Sequence, residues 1–373
     1  MNVLAPAHTG GPVRVVGTGL LGASVGLGLR SLGVDVVLHD ASPTALAMAR
    51  DVGAGRLPDE DADGPVSLVV VAAPPDVTAD LVAAELLGNP RAVVTDVASV
   101  KASVLREVRD VVRDPAVLAR YVGGHPMAGR ERSGAVAARA DLFAGRPWVL
   151  TPGPDVTAEA MAAVRDLATD LGAVPLTMSP EAHDEAVARV SHVPQVLASL
   201  VAARLLDSPD DAVALAGQGL RDVTRIAASD PTLWVQILGG NAGPVAEVLA
   251  ALRDDLDGVV RALRSLAADA GAPGARATVA RAIQAGNEGQ ARIPGKHGAP
   301  PTRYEVVTVL VPDRPGELGR LFTEMGEIGV NLEDLRLEHS PGQPVGLAEV
   351  SVVPGARALL EDELVKRGWT IAG

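Results

Sequence analysis

Four stretches of this chain hold residues of types that do chemistry. The first is Gly123-Gly124-His125-Pro126-Met127-Ala128-Gly129-Arg130-Glu131-Arg132-Ser133-Gly134, which follows a short β-like run, Tyr121-Val122. Pro126 biases His125 away from helix and toward an extended or turn backbone. An imidazole held at a strand end stands where α/β proteins place their chemistry, and it titrates near neutrality. On these residues alone, a satisfied loop histidine in a glycine turn reads equally well. The second stretch is Gly17-Thr18-Gly19-Leu20-Leu21-Gly22, directly after apolar Val13-Arg14-Val15-Val16 and opening an amphipathic run to about Leu32. In that strand–helix context Gly17 allows a tight turn, Gly19 lets backbone approach a pyrophosphate, and Gly22 lets the helix pack on the strand. The helix start then offers N–H groups to the phosphates. The third is Asp96-Val97-Ala98-Ser99-Val100-Lys101, where a Ser or Asp opening a helix reads first as an N-cap. The fourth runs from Gly217 to Pro231 and carries Arg221 and Arg225; a lone Arg on an Ala-rich helix is usually a solvated charge.

These stretches need elements to position them. Val34 to Leu38 is a second apolar run, ending in His39-Asp40. Asp40 lies eighteen residues past Gly22, near the ~20 expected of a ribose-binding acid. A carboxylate there accepts from ribose hydroxyls and repels a 2′-phosphate, and Ala41-Ser42-Pro43-Thr44 supply no cation. The cofactor expected is therefore NAD; a solvated Asp at a strand end is the bland alternative. Ser67 to Ala73, stopped by Pro74-Pro75, and Ala92 to Asp96 are further buried strands, with Trp148-Val149-Leu150 and Val174-Pro175-Leu176 as edge strands. Strands alternating with helices predict a doubly wound parallel sheet of Rossmann type over residues 12–178. The glycine loop with Leu20, the Ala73-Pro74 corner, Ser99 and His125 then gather along one sheet edge.

From about Pro180 to Ala285 the pattern is all helical, a second domain over 179–285. Glu181 to Leu206 is one helical pattern with Pro194 inside, so a kink is expected there. His183 and His192 are nine residues apart, about 900° of helix, and face opposite sides unless the kink re-aims one. Gln195 shares the face of His192. Residues 286–302, rich in Gly and Pro, read as a linker, although Arg292 to His297 adds charges to it. Residues 303–373 read as β-α-β-β-α-β, a ferredoxin-like module, with Asp313-Arg314-Pro315-Gly316-Glu317-Leu318 turning into its first helix.

Composition narrows the classes. A formal net charge of -13 argues against nucleic-acid or anionic-membrane partners. Aromatics are 2%, so the core must be Ala, Val and Leu. With Cys absent there are no disulfides, thiol nucleophiles or Cys-bound metals, which suits a cytoplasmic location. No signal-peptide pattern opens the chain, and no apolar run reaches the ~18 residues of a spanning helix.

The motif GGHPMAG-x-E-x-SG at 123–134 resembles the active-site signature of the prephenate/arogenate dehydrogenase family of tyrosine biosynthesis. Asp96 to Lys101 resembles that family's D-x-x-S-x-K segment, and Ser191 to Gln195 its S-H-x-P-x segment. Residues 217–231 resemble its G-x-G-x-x-D-x-T-R-x-A-x-S-D-P signature, here continuing to Trp234 and Asn241. The resemblance implies an NAD-dependent oxidative decarboxylation of prephenate to 4-hydroxyphenylpyruvate and CO2. It implies His125 as general base and Ser99 bonded to the substrate hydroxyl or to that histidine. It also implies Arg225 on a substrate carboxylate, with His192, Gln195 and Ser133 lining the pocket. Glu131 and Arg221 match positions described as an ionic gate, in part across a dimer. The middle helices form a homodimer in this family, and no metal is needed. The D-R-P-G-x-L turn and the later G-V-N resemble an ACT domain, implying an amino-acid effector, most simply tyrosine, near Asp313, Gly316, Leu318 and Asn331. A stabilising module without ligand is the plainer reading of the same fold. The alternatives are an arogenate dehydrogenase, another Rossmann dehydrogenase with a helical second domain, and a non-catalytic NAD- and amino-acid-binding regulator.

Overall fold

The computed structural model describes residues 7–59, 64–128, 134–294, 304–339 and 345–372. They fall into two compact units, Met1–Leu252 and Arg253–Gly373.

The first unit is built on a seven-stranded sheet. In chain order its strands are β1 (Val13–Val16), β2 (Val36–His39), β3 (Leu68–Val71), β4 (Val93–Asp96), β5 (Tyr121–Pro126), β6 (Pro147–Pro152) and β7 (Val174–Thr177). Their spatial order is β2-β1-β3-β4-β5-β6-β7. The first five are parallel; β6 runs antiparallel to β5, and β7 pairs parallel with β6. Every residue of β3 is buried, the mark of a strand covered on both faces. Its side chains alternate: Leu68 and Val70 join one core with helices Leu20–Ser31 and Ala158–Asp170. Val69 and Val71 join the opposite core with Pro75–Gly88, Ala102–Val111 and Ile237. Both cores are mostly Ala, Val and Leu, as the scarcity of aromatics requires. The order reverses between β1 and β3, so the strand ends beside that crevice form the ligand edge.

Two expectations need correction. Of the extended or turn backbone expected at 123–126, the structure takes the extended form, so the strand is longer than Tyr121-Val122. Gly123, Gly124, His125 and Pro126 continue β5 and pair with Thr151, Leu150, Val149 and Trp148 of β6. The glycines serve close packing: a Cβ on Gly124 would stand 2.6 Å from the Asp96 carbonyl oxygen, and one on Gly123 2.5 Å from Thr151 Oγ1. The linker expected over 286–302 begins inside the helix Ala275–Gln290. Isolated glycines at 286 and 289 cost a helix only about 1 kcal/mol each, and the flanking residues outweigh them.

The helical part of the first unit opens with Pro180–Val187, a π turn at Ala188–His192 and the helix Val193–Ala203. By length and composition Pro180–Ala203 could cross a membrane, but it buries His183, Asp184 and His192 in a hydrogen-bonded web described below. The helices Gln218–Thr224 and Pro231–Gly240 follow, and the helix Ala242–Ala268 begins in the first unit and ends in the second.

In the second unit β8 (Glu305–Pro312), β9 (Asp334–His339), β10 (Val345–Val352) and β11 (Thr370–Ala372) form an antiparallel sheet in the order β11-β8-β10-β9. Helices Glu317–Ile328 and Arg357–Lys366 complete βαββαβ. Strand β10 alternates half-buried and buried residues, so one face packs on the helices through Ala348, Val350 and Val352.

Candidate active site

At the end of β1 the glycine loop has the shape a dinucleotide needs. Gly17 has φ 93°, and a Cβ there would lie 2.4 Å from the Ala72 carbonyl oxygen. Nothing lies within 4 Å of where a Cβ on Gly19 would be, so that backbone is open to a ligand. Gly19 caps the helix Leu20–Ser31 without a side-chain hydrogen bond, which leaves the helix-start N–H groups for an anion. Asp40 closes the site from β2. Its Oδ2 accepts from Thr18 N at 2.7 Å and Thr18 Oγ1 at 2.8 Å, and its Oδ1 from Ser42 N at 2.8 Å. Burial works to raise the Asp40 carboxyl, but these bonds outweigh it and hold the group below its usual range. It therefore stays a carboxylate, and Oδ1 keeps accepting capacity for a ribose hydroxyl. Ala73 and Pro74 lead into Pro75–Gly88, where Thr78 Oγ1 donates to both of their carbonyls. These residues fit NAD.

His125 sits two strands further along. Behind it Lys101 is buried, with Nζ donating to the Asp96 carboxylate and, at 2.6 Å, to the Gly124 carbonyl. Tyr121 donates to the other Asp96 oxygen at 2.7 Å. Burial and the Asp96 charge push that phenol well above its usual value, so it remains a donor. This cluster pins the backbone immediately before His125. Ser99 lies in the turn between β4 and the helix Ala102–Val111 and is half-buried. It is not the helix cap. The cap residue is Lys101, and the helix-start N–H groups of Lys101 and Ala102 donate instead to Asp184, at 2.9 Å each.

The ring of His125 is held by His183, which regular helical periodicity sets opposite His192 unless a kink re-aims one. His125 Nδ1 meets His183 Nε2 at 2.8 Å, and His183 Nδ1 meets Asp184 Oδ1 at 2.8 Å. The π turn at Ala188–His192 brings His183 and His192 inward together. A π turn winds more slowly than an α-helix, and Pro194, lacking an N–H, favours such a break just before it. The Asn241 amide bridges Asp184 O at 2.8 Å and His192 Nδ1 at 3.1 Å, and Trp234 stands edge-on to His192 with ring centres 6.0 Å apart. Burial, then the positive ends of His183, Lys101 and His192, push His125 well below the usual histidine range. Burial pushes His192 down to about 4. Both rings are neutral at physiological pH.

Gln195 is buried one turn past His192, with its amide nitrogen 3.5 Å from Ser199 Oγ. Arg225 begins a 3-10 turn after Gln218–Thr224, and both Arg221 and Arg225 are exposed. Their segment packs on the helix Val193–Ala203 that carries Gln195. Glu131 and Ser133 lie outside the described residues. In the second unit Asp313, Gly316 and Leu318 line a cleft of about 360 Å³. Asn331 does not line it; its amide donates to Glu333 at 2.7 Å. His183, Lys101 and Asn241 were not singled out for the site by sequence reasoning; the signal for Lys101 and Asn241 was their place in the two motifs.

Comparison with known proteins follows this geometry. The family model for the prephenate dehydrogenase nucleotide-binding domain matches residues 25–176, and that for the prephenate dehydrogenase dimerization domain matches residues 179–271. A probable prephenate dehydrogenase, NovF, of Streptomyces niveus is 39% identical over 360 residues, covering 95% of this chain and 98% of its own. The crystal structure of A. aeolicus prephenate dehydrogenase with hydroxyphenyl propionate and NAD+ is similar, with a TM-score of 0.63 and 26% identity over 75% of this chain and 96% of that one. Synechocystis arogenate dehydrogenase is similar too, with a TM-score of 0.61 and 25% identity over 75% of this chain and 99% of that one. A glycine loop shaped for NAD, a neutral buried-side histidine and two distant motifs meeting on His192 agree with these matches: the chain belongs to the prephenate dehydrogenase family of NAD-dependent oxidoreductases.

Proposed function

We propose that the enzyme oxidatively decarboxylates prephenate, with His125 as the base, Ser99 beside it on the substrate hydroxyl and Arg225 on a carboxylate. NAD, when bound, supplies the hydride acceptor. His125, held neutral, takes the proton of the ring hydroxyl. Loss of CO2 leaves the ring as a phenolate, and the proton on His125 returns to it. A guanidinium at 225 suits the task because it grips a carboxylate through two parallel hydrogen bonds. Arg221, exposed on the helix Gln218–Thr224, serves the gate at the pocket mouth. The working form is a cytoplasmic homodimer. In support, the part matched by the dimerization model exposes Leu206 and Leu215 at 85% and 86% of their surface, and Val235 at 71%.

The observation that carries prephenate over arogenate is the charge balance around Gln195. Arogenate carries an ammonium where prephenate has a ketone, and burying it calls for a counter-charge. Three acids of the helical segment are candidates to fold toward it and serve, and each is engaged. Asp184 accepts from His183, Lys101 N and Ala102 N. Asp222 accepts from Gln218, and Asp230 caps the helix at Thr232 N. Gln195 offers a neutral amide, which can donate to a ketone. The expected kcat/KM, followed as NADH at 340 nm, favours prephenate by at least about tenfold, or about 1.4 kcal/mol. Gln195→Asp should shift the ratio toward arogenate, by adding attraction for the ammonium and repulsion for the neighbouring carboxylate. Equal turnover of both by the unaltered enzyme would overturn the assignment.

The βαββαβ unit is proposed as an ACT module that binds tyrosine. Gly316, at φ 93°, opens the helix Glu317–Ile328 without a side-chain cap. The cleft beside it places Asp313 and Arg314 with Val311, Leu318 and Leu337, a set suited to the two charges and the apolar body of an amino acid. Arg314→Ala should weaken tyrosine binding by about tenfold or more in calorimetry, as loss of a charged hydrogen bond costs ~1.5–3 kcal/mol, with turnover retained. Undiminished binding would place the effector elsewhere.

A further inference from the structure

We propose that Asp184 sets the proton positions on both histidines of the site, its carboxylate acting through His183 on His125 and its carbonyl through Asn241 on His192. This rests on His125 being the base and adds which ring nitrogen does the work. A carboxylate only accepts, so the 2.8 Å bond to Asp184 Oδ1 comes from Nδ1–H of His183. With that proton on Nδ1, His183 turns a bare Nε2 to His125 and accepts from its Nδ1–H at 2.8 Å. His125 is left with its lone pair on Nε2, the form that can take a hydroxyl proton.

The second branch follows the same logic. The Asp184 carbonyl only accepts, so the Asn241 atom 2.8 Å from it must be the amide nitrogen. The other hydrogen of that nitrogen meets His192 Nδ1 at 3.1 Å, and His192 therefore carries its own proton on Nε2. One histidine is fixed as an acceptor at Nε2 and the other as a donor there.

Asp184 cannot easily turn away. Lys101 N and Ala102 N, at the start of the helix Ala102–Val111, hold one carboxylate oxygen each, at 2.9 Å. When the substrate O–H bond breaks and Nε2–H forms, the new imidazolium faces three cationic or neutral groups: His183, Lys101 and His192. Lys101 is offset by Asp96, to which it is bonded. Asp184, one ring away through His183, is the negative group that the new charge meets along the hydrogen-bond chain. His183 and Asp184 are thus positioning residues: neither needs to touch substrate.

Proton–nitrogen NMR of the labelled full-length protein at neutral pH reads ring tautomers directly. The expected result is Nδ1–H for His125 and Nε2–H for His192; Nε2–H on His125 would overturn the proposal. In Asp184→Asn the amide can donate to His183 Nδ1 and reverse the chain. His125 should then carry Nε2–H, and kcat should fall about 10²–10⁴-fold. Because Asp184 also caps a helix, His183 supplies a second test. Gln at 183 can still accept from His125, so His183→Gln should turn over at least tenfold faster than His183→Leu. Equal loss in the two would show a packing role alone and overturn the proposal. The tautomer is read without turnover, so this inference can fail while the base assignment stands.

Discussion

Replacing His125 with Asn is expected to lower kcat by roughly 10²–10⁴ while NAD affinity stays nearly unchanged. The amide keeps a hydrogen bond but cannot take a proton. NAD affinity should hold because the glycine loop and Asp40 belong to β1 and β2, with β3 and β4 between them and β5. The pH profile carries the same information. The base works only when neutral, and burial with neighbouring positive groups holds its proton affinity well below that of an ordinary histidine. kcat/KM should therefore stay level as pH falls through the usual histidine range, and drop only further to the acid side. A His125→Asn enzyme with near-normal kcat, or an acid limb centred at an unperturbed histidine value, would end the assignment.

Lys101→Met should destabilise the fold by about 3–5 kcal/mol, the cost of removing one partner of a buried ion pair. Asp96 is fully buried and would keep only the Tyr121 hydroxyl and Ala98 N as donors. Burial alone presses Lys101 toward its neutral form, and Asp96 opposes this, so each ion needs the other. The loss should show as a lower denaturant midpoint at unchanged slope. In Asp96→Asn with Lys101→Met no charge is left stranded, so the double variant should lose less than the two single losses added together. Strict additivity, or a single-variant loss under about 1 kcal/mol, would mean that water reaches the pair.

What could be read from sequence divides along physical lines. The NAD half was legible because its local motif is also its structure: strand, glycine loop, helix and acid follow within thirty residues, and each glycine does a nearby job. The βαββαβ module was legible for the same reason, its strands alternating and its turns marked by Gly and Pro. The strand through His125 was not. Glycines at 123 and 124 look like a turn until the Asp96 carbonyl and Thr151 are known to press against them, and those contacts are tertiary. A regular helical pitch sets His183 opposite His192 unless a kink re-aims one, and where that kink falls is not a local property. The chain departs from that pitch between them. Nothing local to Asp184 shows that a ring and a distant helix end consume its carboxylate.

That departure from pitch makes winding, rather than the side chains alone, the vulnerable property of this segment. A π turn is an α-helix carrying one residue more than regular winding needs. Residues on either side of Ala188–His192 therefore belong to two phases, and the extra residue keeps them in step across the pocket. Losing one of residues 188–191 would remove the extra residue and let regular winding join the two phases, whereas regular winding forced on all five would swing everything beyond them by about 100°. Gln195 would turn out of its buried place, and His192 would part from the Asn241 amide that orients it.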